Sequence, residues 1–394
     1  MTPIYFDHNA TTRPLPEVVD AVVSTMQDDF GNPSSLHWAG QDAVRTLDTA
    51  RTQVSKLLDC RADEITFTSG ATEANTMVLR GVIEQHLRSG TKLADLHVVT
   101  SAIEHSSVLR TLEDMELQGL RVTYVAAGWD GRVNARQVEA AIEKDTVLVS
   151  IMLANNDTGV LQPLEDIARF AHGKQVLVHS DITQAVGKVL VHPKTMGIDF
   201  ASLSAHKFQG PRGVGALWMR NGIKLLPLLR GGKQELSMRA GTENVPAIAG
   251  MGVACIAAQK NLQNYAQHCE MLRTKLQTGL LQLFPDLRIY GELAPRVPNT
   301  LCIGLPGVDG MSLMLNLDLE GIAMSVGSAC GAGDHEPSHV LRGMGCTELE
   351  ALSTVRFSLG TSNTLAEINC TIQAMEHIVP RLRTFAPTSG VCHV

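Results

Sequence analysis

Three short segments of the chain carry residue types that can do covalent chemistry. Lys207 follows Ser204 and His206 in a Ser-Ala-His-Lys segment. Asp181 ends an apolar run upstream of it, and Cys330 lies far downstream among glycines. A lysine amine forms a Schiff base with an aldehyde, and a carboxylate keeps a pyridine nitrogen protonated so that the ring withdraws electrons. The segments in this order therefore predict a pyridoxal 5'-phosphate site, and the cysteine suggests sulfur chemistry.

Each of these signals also has an ordinary structural explanation. The Ser-x-His-Lys segment can be a polar turn, and Lys207 can be an exposed loop lysine. Asp181 can cap the segment that begins near Thr183, although carboxylates at strand ends of α/β sheets also point into the ligand crevice. The set of residues, and not any one of them, favours the cofactor site.

The segment from Thr68 to Glu73 has the composition of a phosphate-binding turn. An apolar strand ends before Gly70, and a helix begins with small and hydroxyl residues. The free N–H groups at that helix start, around Ala71, together with the Thr72 hydroxyl would bind a phosphate. The alternative is a plain strand, turn and capped helix, because Ser and Thr are common capping residues.

Size and composition restrict the class of protein. The chain has 394 residues, of which 44% are hydrophobic and 19% charged, with a formal net charge of -7. This balance predicts a soluble globular protein of two domains and argues against a nucleic-acid surface. No apolar run reaches the ~18 residues of a membrane span, and the first residues lack the pattern of a signal peptide. We therefore expect neither a membrane nor a nucleic acid as partner.

The eight cysteines favour a reducing compartment. No Cys-x-x-Cys pair occurs, so neither a zinc ribbon nor a disulfide framework is indicated, and no metal site is predicted. A cytoplasmic location, where free thiols can react, is the expectation. Cys330 lies in a Gly-rich segment that predicts a mobile loop, whereas Cys255 and Cys302 have the apolar neighbours of core residues.

Hydrophobic patterning predicts an α/β fold of two domains. Apolar runs alternate with helical patterns from about residue 60 to 220, which indicates parallel strands covered on both faces. A long helix is predicted from about Asn261 to Phe284, followed by a smaller α+β region. We expect a large cofactor-binding domain over 15–260, and a small domain formed by 1–14 and 261–394 that carries the Cys330 loop. The predicted strands cover Ile65–Thr68, Leu96–Thr100, Val122–Val125, Val147–Met152, Val176–His179, Phe200–Leu203, Val214–Met219, Asn299–Leu305, Ile322–Val326 and Val355–Leu359.

Over nearly its whole length the chain resembles the cysteine desulfurases of the NifS/IscS type, which are class-V aminotransferase-family enzymes of pyridoxal phosphate fold type I. The resemblance implies a large domain with a mainly parallel, seven-stranded sheet. Many ordered segments carry it, which makes chance implausible. They are Tyr5–Thr12, Phe30–Ser35, Thr68–Glu73, Glu104–Val108, Asn155–Gly159, Asp181–Gln184, Ser204–Lys207, Arg239–Thr242, Gly327–Cys330, Glu336–Ser338 and Arg356–Gly360.

The resemblance implies roles around the cofactor ring. Lys207 would hold pyridoxal 5'-phosphate covalently, and Asp181 would pair with the pyridinium nitrogen. Gln184 and Asn156 would address the phenolic oxygen or the substrate. His105 would stack on the ring face and move protons, and it is the expected base for the substrate thiol.

The resemblance also implies how the phosphate is held and how subunits associate. Thr72, Ser204 and His206 would bind the phosphate, next to the helix start at Ala71. Thr242 would reach this phosphate from a second subunit, so a homodimer with shared sites is expected.

The substrate implied by the resemblance is L-cysteine, and the product is L-alanine. Arg356 would bind the substrate carboxylate by a planar two-point hydrogen bond, which suits a guanidinium better than an ammonium. Cys330 would take the sulfur as a persulfide and deliver it to a protein acceptor. The acceptor stays open between an iron–sulfur scaffold and a thio-modification enzyme of tRNA or DNA.

Some positions depart from the family pattern. Asp157 stands where Glu is usual, Ile182 replaces a small residue, and Gly331–Gly333 replaces a Ser- and Thr-rich stretch. The end of the chain does not resemble the extended tail by which housekeeping members engage an iron–sulfur scaffold. Cys392 in that tail is an alternative sulfur carrier or an idle thiol. The spacing from Cys330 to Glu336 matches the long-loop members, which hand sulfur directly to partners.

Two other functions stay open at this level. A selenocysteine lyase could use the same residues, whereas an aminotransferase has no use for a thiol on a Gly-rich loop. A scaffold for sulfur transfer with little turnover of its own is the candidate from another class. The intact set of Lys207, Asp181, His105 and Cys330 argues against the scaffold.

Overall fold

The computed structural model describes residues 3–327 and 336–384, so Cys330 and Cys392 lie outside the described residues. The helices in this part are α1 (Pro16–Asp28), α2 (Trp38–Leu58), α3 (Ala71–Arg88), α4 (Ser106–Glu116), α5 (Ala135–Ala141), α6 (Leu164–Gly173), α7 (Val245–Leu283), α8 (Gly310–Leu319), α9 (His339–Gly343), α10 (Glu348–Leu352) and α11 (Leu365–Thr384). None of these helices combines the length and the hydropathy that crossing a membrane requires.

The strands in the same part of the chain are β1 (Ile4–Tyr5), β2 (Ile65–Thr68), β3 (His97–Ser101), β4 (Arg121–Val125), β5 (Thr146–Ser150), β6 (Leu177–Asp181), β7 (Phe200–Ser204), β8 (Gly215–Met219), β9 (Arg288–Ile289), β10 (Thr300–Gly304), β11 (Ile322–Ala323), β12 (Ser325–Val326) and β13 (Thr354–Ser358). Single turns of 3-10 helix cover Ala62–Glu64, Leu93–Asp95, Ala205–Lys207 and Glu235–Ser237.

The large sheet has seven strands in the order β2-β8-β7-β6-β5-β3-β4. Strands β4, β3, β5, β6 and β7 pair parallel with one another in that order, as predicted. The predicted mainly parallel, seven-stranded sheet is confirmed, and its exception is β8, which pairs antiparallel with both β7 and β2. The short connection from β7 to β8 is the physical reason, since parallel neighbours need a long crossover.

Two apolar cores cover the two faces of this sheet, which explains the continuous apolar runs. Val98 and Leu148 belong to the core on the α3 and α4 side. The next residues, Val99 and Val149, belong to the core on the α2, α6 and α7 side. Successive strand residues point to opposite faces, so a strand buried on both sides needs apolar residues at every position.

Helix α7 is longer than the sequence indicated. It begins at Val245 and not near Asn261, with Pro246 in its first turn and Asn244 capping it by accepting a bond from the Ala247 N–H. Proline fits that first turn because its missing N–H has no intrahelical partner there. Cys255 on α7 packs in the large-sheet core and Cys269 packs in the core of the C-terminal region. The predicted division at residue 260 falls inside this helix and stays a prediction.

The C-terminal region contains an antiparallel sheet in the order β12-β13-β10-β9. The predicted strand Ile322–Val326 is divided, because β11 pairs with β1 and β12 pairs with β13. Pairing of Ile4 with Ile322 fixes the N-terminal segment to this region. Phe6 is fully buried and packs edge-on against Phe357, and this contact directs the residues that follow it toward the large sheet.

Candidate active site

Neighbouring strand ends bring the predicted chemical residues together. Asp181 is the last residue of β6 and Ser204 the last of β7, and the two strands are parallel with Asp181 opposite Ser202. Lys207 lies in the 3-10 turn that follows β7 directly. Because the carboxyl ends of parallel strands meet at one edge of a sheet, these side chains share one crevice.

The carboxylate of Asp181 is buried and held by two donors. Its Oδ1 accepts from the Thr183 N–H at 2.9 Å, and its Oδ2 accepts from Asn75 Nδ2 at 2.8 Å. The bond from Thr183 closes a turn, but the structure describes no helix between β6 and β7, so Asp181 is not a helix cap. The sequence analysis did not assign a role to Asn75 in α3. It lies three residues after Thr72 and therefore near the face of α3 that carries Thr72.

The amine of Lys207 contacts the N-terminal segment. Its Nζ donates to the carbonyl oxygen of Asn9 at 2.6 Å and to that of Ala10 at 2.8 Å. Burial lowers the pKa of Lys207 to about 8, and the Arg356 charge adds to this effect while Asp181 opposes it. A lower pKa leaves more of the neutral amine near neutral pH, which is the form that attacks an aldehyde.

His105 is the N-cap of α4, and its ring has a defined tautomer. Its Nδ1 lies 3.1 Å from the backbone N of Ser107, which can only donate, and 2.8 Å from the Ser107 hydroxyl oxygen. Nδ1 is therefore the acceptor, and the neutral ring carries its proton on Nε2. Loss of hydration lowers the pKa of His105; the Asp181 charge opposes this change and the Lys207 charge adds to it.

The start of α3 is open for an anion. Gly70 precedes it with φ of 155° and no side-chain cap, so the N–H groups of Ala71 and Thr72 have no partner within the helix. The Ser204 hydroxyl oxygen would lie 3.6 Å from a Cβ at Gly70, which locates it beside this helix start. His206 contacts the N-terminal segment, with Nδ1 3.1 Å from the Thr11 hydroxyl oxygen.

Thr242 lies near the same helix start on its own chain. It is exposed and, with Ser69 and Arg239, borders a cavity of about 230 Å³. Arg239 Nε donates to the Glu73 carboxylate at 3.0 Å, which fixes this loop against α3. The predicted role of Thr242 in a second subunit stays a prediction.

Arg356 on β13 is buried between two carboxylates. One terminal nitrogen donates to the Asn156 carbonyl at 3.0 Å and to Asp157 Oδ1 at 3.3 Å, and the other to Asp7 Oδ1 at 2.7 Å. Burial would lower the pKa of Arg356, but Asp157 and Asp7 raise it above its ordinary value. Among the described residues, the buried atoms Arg356 Nε and Asn156 Oδ1 have no hydrogen-bond partner. A donor and an acceptor are therefore free for a ligand at this point.

Asp157 also contacts the residues that bracket Cys330 along the chain. Its Oδ2 accepts from the Ser338 hydroxyl at 2.9 Å, and a Cβ at Gly327 would lie 3.7 Å from the same oxygen. Asp157 thus bonds to Arg356 and to Ser338 and lies near Gly327. The short Asp side chain in place of Glu fits between these groups.

Gln184 and Asn156 both bond to Asn9, which had no role predicted from the sequence. Gln184 Nε2 donates to the Asn9 carbonyl at 2.9 Å, and Asn9 Nδ2 donates to the Asn156 carbonyl at 3.1 Å. Asn9 was part of a family segment, so its position was visible but its contacts were not. Lys188 bonds to Gln184 and Asn9. Its spacing of four residues from Gln184 was the only feature of the sequence that indicated this.

Comparison with known proteins places this site in a family. The class-V aminotransferase family model matches residues 4–370. A cysteine desulfurase from Trichormus azollae is 40% identical over 387 residues, which cover 98% of this chain and 95% of that protein.

Solved structures agree with the sequence relatives. A NifS-like protein superposes with a TM-score of 0.89 at 36% identity, covering 96% of this chain and 100% of the other. SspA in complex with cysteine superposes with a TM-score of 0.78 at 32% identity, covering 92% and 100%. Members of these groups generally depend on pyridoxal phosphate. The chain belongs to the cysteine desulfurases of the class-V aminotransferase family.

Proposed function

We propose that the chain is a pyridoxal phosphate-dependent cysteine desulfurase, which converts L-cysteine to L-alanine and takes the sulfur on Cys330 as a persulfide. The observation that carries the proposal is one crevice containing the Lys207 amine, the Asp181 carboxylate and the Arg356 guanidinium. These groups suit an aldehyde, a pyridinium nitrogen and a substrate carboxylate respectively.

The residues of this crevice fit the cofactor. The open start of α3 suits the phosphate, and the unpartnered Asn156 Oδ1 and Arg356 Nε leave polar atoms for a ligand. When bound, pyridoxal phosphate supplies a protonated ring that stabilises negative charge at the α-carbon of the amino acid. The residues proposed to hold it are Ala71, Thr72, His105, Asn156, Asp181, Gln184, Ser204, His206 and Lys207, with Thr242 from a second copy in a homodimer.

Neighbouring residues orient each side chain that is proposed to contact the cofactor ring. Thr183 and Asn75 hold the Asp181 carboxylate, so it stays oriented toward the pyridinium nitrogen. His105 covers the ring and exchanges the proton on Nε2, because its Nδ1 is occupied by Ser107. In this tautomer Nε2 donates and Nδ1 is the only acceptor of the ring, so His105 acts as a base for the thiol only once Nδ1 is released from the Ser107 N–H.

Two side chains are proposed to bind the substrate and to remove its α-carbon proton. Arg356 binds the carboxylate of L-cysteine through its planar guanidinium. Lys207, with a pKa of about 8, is partly neutral near neutral pH and takes the α-carbon proton on Nζ. The cysteine complex of SspA, a relative at 32% identity, supports the choice of substrate.

Sulfur transfer is assigned to Cys330. Its thiolate attacks the substrate sulfur, a sulfur–sulfur bond forms, and the carbon–sulfur bond breaks. The electron pair stays with the carbon fragment, which is protonated and leaves as alanine. The persulfide then passes to a protein acceptor, either an iron–sulfur scaffold or a thio-modification enzyme.

The test compares wild-type protein with Cys330→Ser, both loaded with pyridoxal phosphate. With L-cysteine and no reductant, the wild-type peptide that contains Cys330 should gain one sulfur atom, while Cys330→Ser binds cofactor and cysteine but forms no alanine. Added sulfur on Cys392 would move the acceptor role to the tail. Alanine formation by Cys330→Ser at the wild-type rate would refute the proposed chemistry.

A further inference from the structure

Lys188 is a buried lysine beside the proposed cofactor site that the proposed mechanism does not use. It is 2% exposed and is one of the largest fully buried side chains. Its Nζ donates to Gln184 Oε1 at 2.6 Å and to Asn9 Oδ1 at 2.7 Å. In the described part of the chain it makes no ion pair with a carboxylate.

The backbone after β6 places Lys188 directly behind Gln184. The Val186 N–H bonds to the Ile182 carbonyl at 3.1 Å, and the Lys188 N–H bonds to the Ala185 carbonyl at 3.0 Å. These helical turns put residues four positions apart on one face. Lys188 therefore meets Gln184 by local geometry and is not merely trapped in the core.

The bond from Lys188 fixes the orientation of the Gln184 amide. A glutamine amide has one acceptor oxygen and two N–H donors on its nitrogen. Because Lys188 donates to Oε1, the nitrogen must face the Asn9 carbonyl, to which it donates at 2.9 Å. One N–H of the nitrogen remains for another acceptor.

Through its bond to Asn9, Lys188 also helps to hold the carbonyl that contacts Lys207. The Asn9 side-chain oxygen accepts from Lys188 and from Asn299 Nδ2 at 3.1 Å, while its backbone carbonyl accepts from both Gln184 and Lys207. Lys188 thus bonds to both Gln184 and Asn9, and through the Asn9 carbonyl this network reaches Lys207.

A packing role alone does not explain a lysine here. Burial lowers the pKa of Lys188 well below its usual value, and the charges of Lys207 and Arg356 add to this effect. A buried amine costs folding free energy relative to an apolar side chain of the same length, and its hydrogen bonds offset only part of this cost. Both of its bonds go to side-chain oxygens in the network around Lys207.

We propose that Lys188 is a positioning residue for the cofactor ring. It holds Gln184 so that the free N–H on Nε2 donates to the phenolic oxygen of pyridoxal phosphate, and it holds Asn9 so that its carbonyl stays beside Lys207. The inference rests on the proposed function.

The test measures pyridoxal phosphate binding to Lys188→Met, which keeps the chain length and removes the donors. We expect affinity about tenfold weaker and a shifted absorption maximum of the bound cofactor, because an unheld amide donates less well to the phenolic oxygen. The matched control is Lys174→Met, which removes a lysine that bonds to the carbonyls of Glu139 and Ile142 away from the site. The control should leave both quantities unchanged.

A double-mutant cycle separates positioning from general stability. In a Gln184→Ala background, Lys188→Met should cause little further change in the cofactor spectrum, because the amide it positions is gone. If Lys188→Met lowers only the melting temperature and keeps the wild-type spectrum, the inference is wrong. If Lys188→Met does not fold, Lys188→Leu, which also removes the donors, replaces it in the same cycle. Failure of wild-type protein to bind pyridoxal phosphate would instead overturn the proposed function.

Discussion

The side-chain amide of Asn75 donates to the Asp181 carboxylate at 2.8 Å and so connects two elements of the site. The same nitrogen lies 2.9 Å from the Ser107 hydroxyl oxygen, which in turn contacts His105 Nδ1. The residue proposed to pair with the pyridinium nitrogen and the residue proposed to cover the ring are therefore held by one asparagine. Their relative positions depend on α3, although neither of them belongs to that helix.

Asn75→Ala should weaken pyridoxal phosphate binding by about tenfold, since it leaves the buried carboxylate with one donor fewer and frees Ser107. Fluorescence titration of cofactor-free protein measures this. Asn316→Ala, which removes a helix asparagine that bonds to the Ser312 carbonyl, is the control and should bind as wild type. Equal affinities for Asn75→Ala and wild type would show that Asp181 needs no support from α3.

The pKa of Lys207 predicts the pH dependence of its covalent labelling. Burial lowers this pKa from 10.5 to about 8, so the reactive neutral amine becomes abundant above about pH 8. The rate of pyridoxal phosphate attachment should therefore rise through about pH 8 and then level off. An unperturbed lysine would keep rising to about pH 10. Borohydride reduction at each pH, followed by peptide mapping, measures the rate; a label on another lysine would contradict the assignment.

The sequence identified the parts of the site that lie in short segments after strands. Asp181 and Lys207 stand at strand ends that apolar runs revealed, so their shared crevice could be predicted. The contacts that support them could not, because Lys188 and Asn9 are separated by 179 positions and meet only in the fold. Backbone carbonyls, such as that of Asn9, also leave no signature in residue type.

Two details of the fold, the direction of β8 and the start of α7, differ from the expectation. Strand positions follow from apolar runs, but the direction of β8 depends on the length of the connection through Lys207. The predicted start of α7 was too late, because Pro246, Gly250 and Gly252 in its first turns have a low intrinsic helix propensity. Packing of α7 against α1 and α2 overrides this propensity.

Arg356→Lys tests the proposed substrate contact. A lysine keeps the charge but loses the planar pair of N–H groups, so the KM for L-cysteine should rise by roughly tenfold to a hundredfold. Cofactor affinity should change little, since the proposed partner of Arg356 is the substrate. Arg383→Lys, at an exposed pair with Asp286, is the matched control. A KM equal to that of wild type would rule out carboxylate binding by Arg356.

The raised pKa of Glu104, which precedes His105, predicts how the free energy of unfolding varies with pH. Burial raises its pKa from 4.5 to about 8, whereas bonds from Ser101 and from the Met152 N–H oppose this change. A raised pKa means that the folded state holds a proton that the unfolded state has lost between about pH 4.5 and 8. The contribution of Glu104 to stability is therefore fully present below about pH 4.5 and is lost as the pH rises to about 8.

Glu104→Gln should remove this loss, because a glutamine keeps the shape of the neutral acid and does not ionise. Urea unfolding of cofactor-free protein measures the effect as the difference between wild type and Glu104→Gln across this pH range. The difference should grow with pH, with a slope of at most about 1.4 kcal/mol per pH unit. Glu113→Gln, at an exposed pair with Arg110, should show no such trend. A pH-independent difference for Glu104→Gln would mean that Glu104 is ionised throughout, and that its charge is stabilised by the donors from Ser101 and Met152.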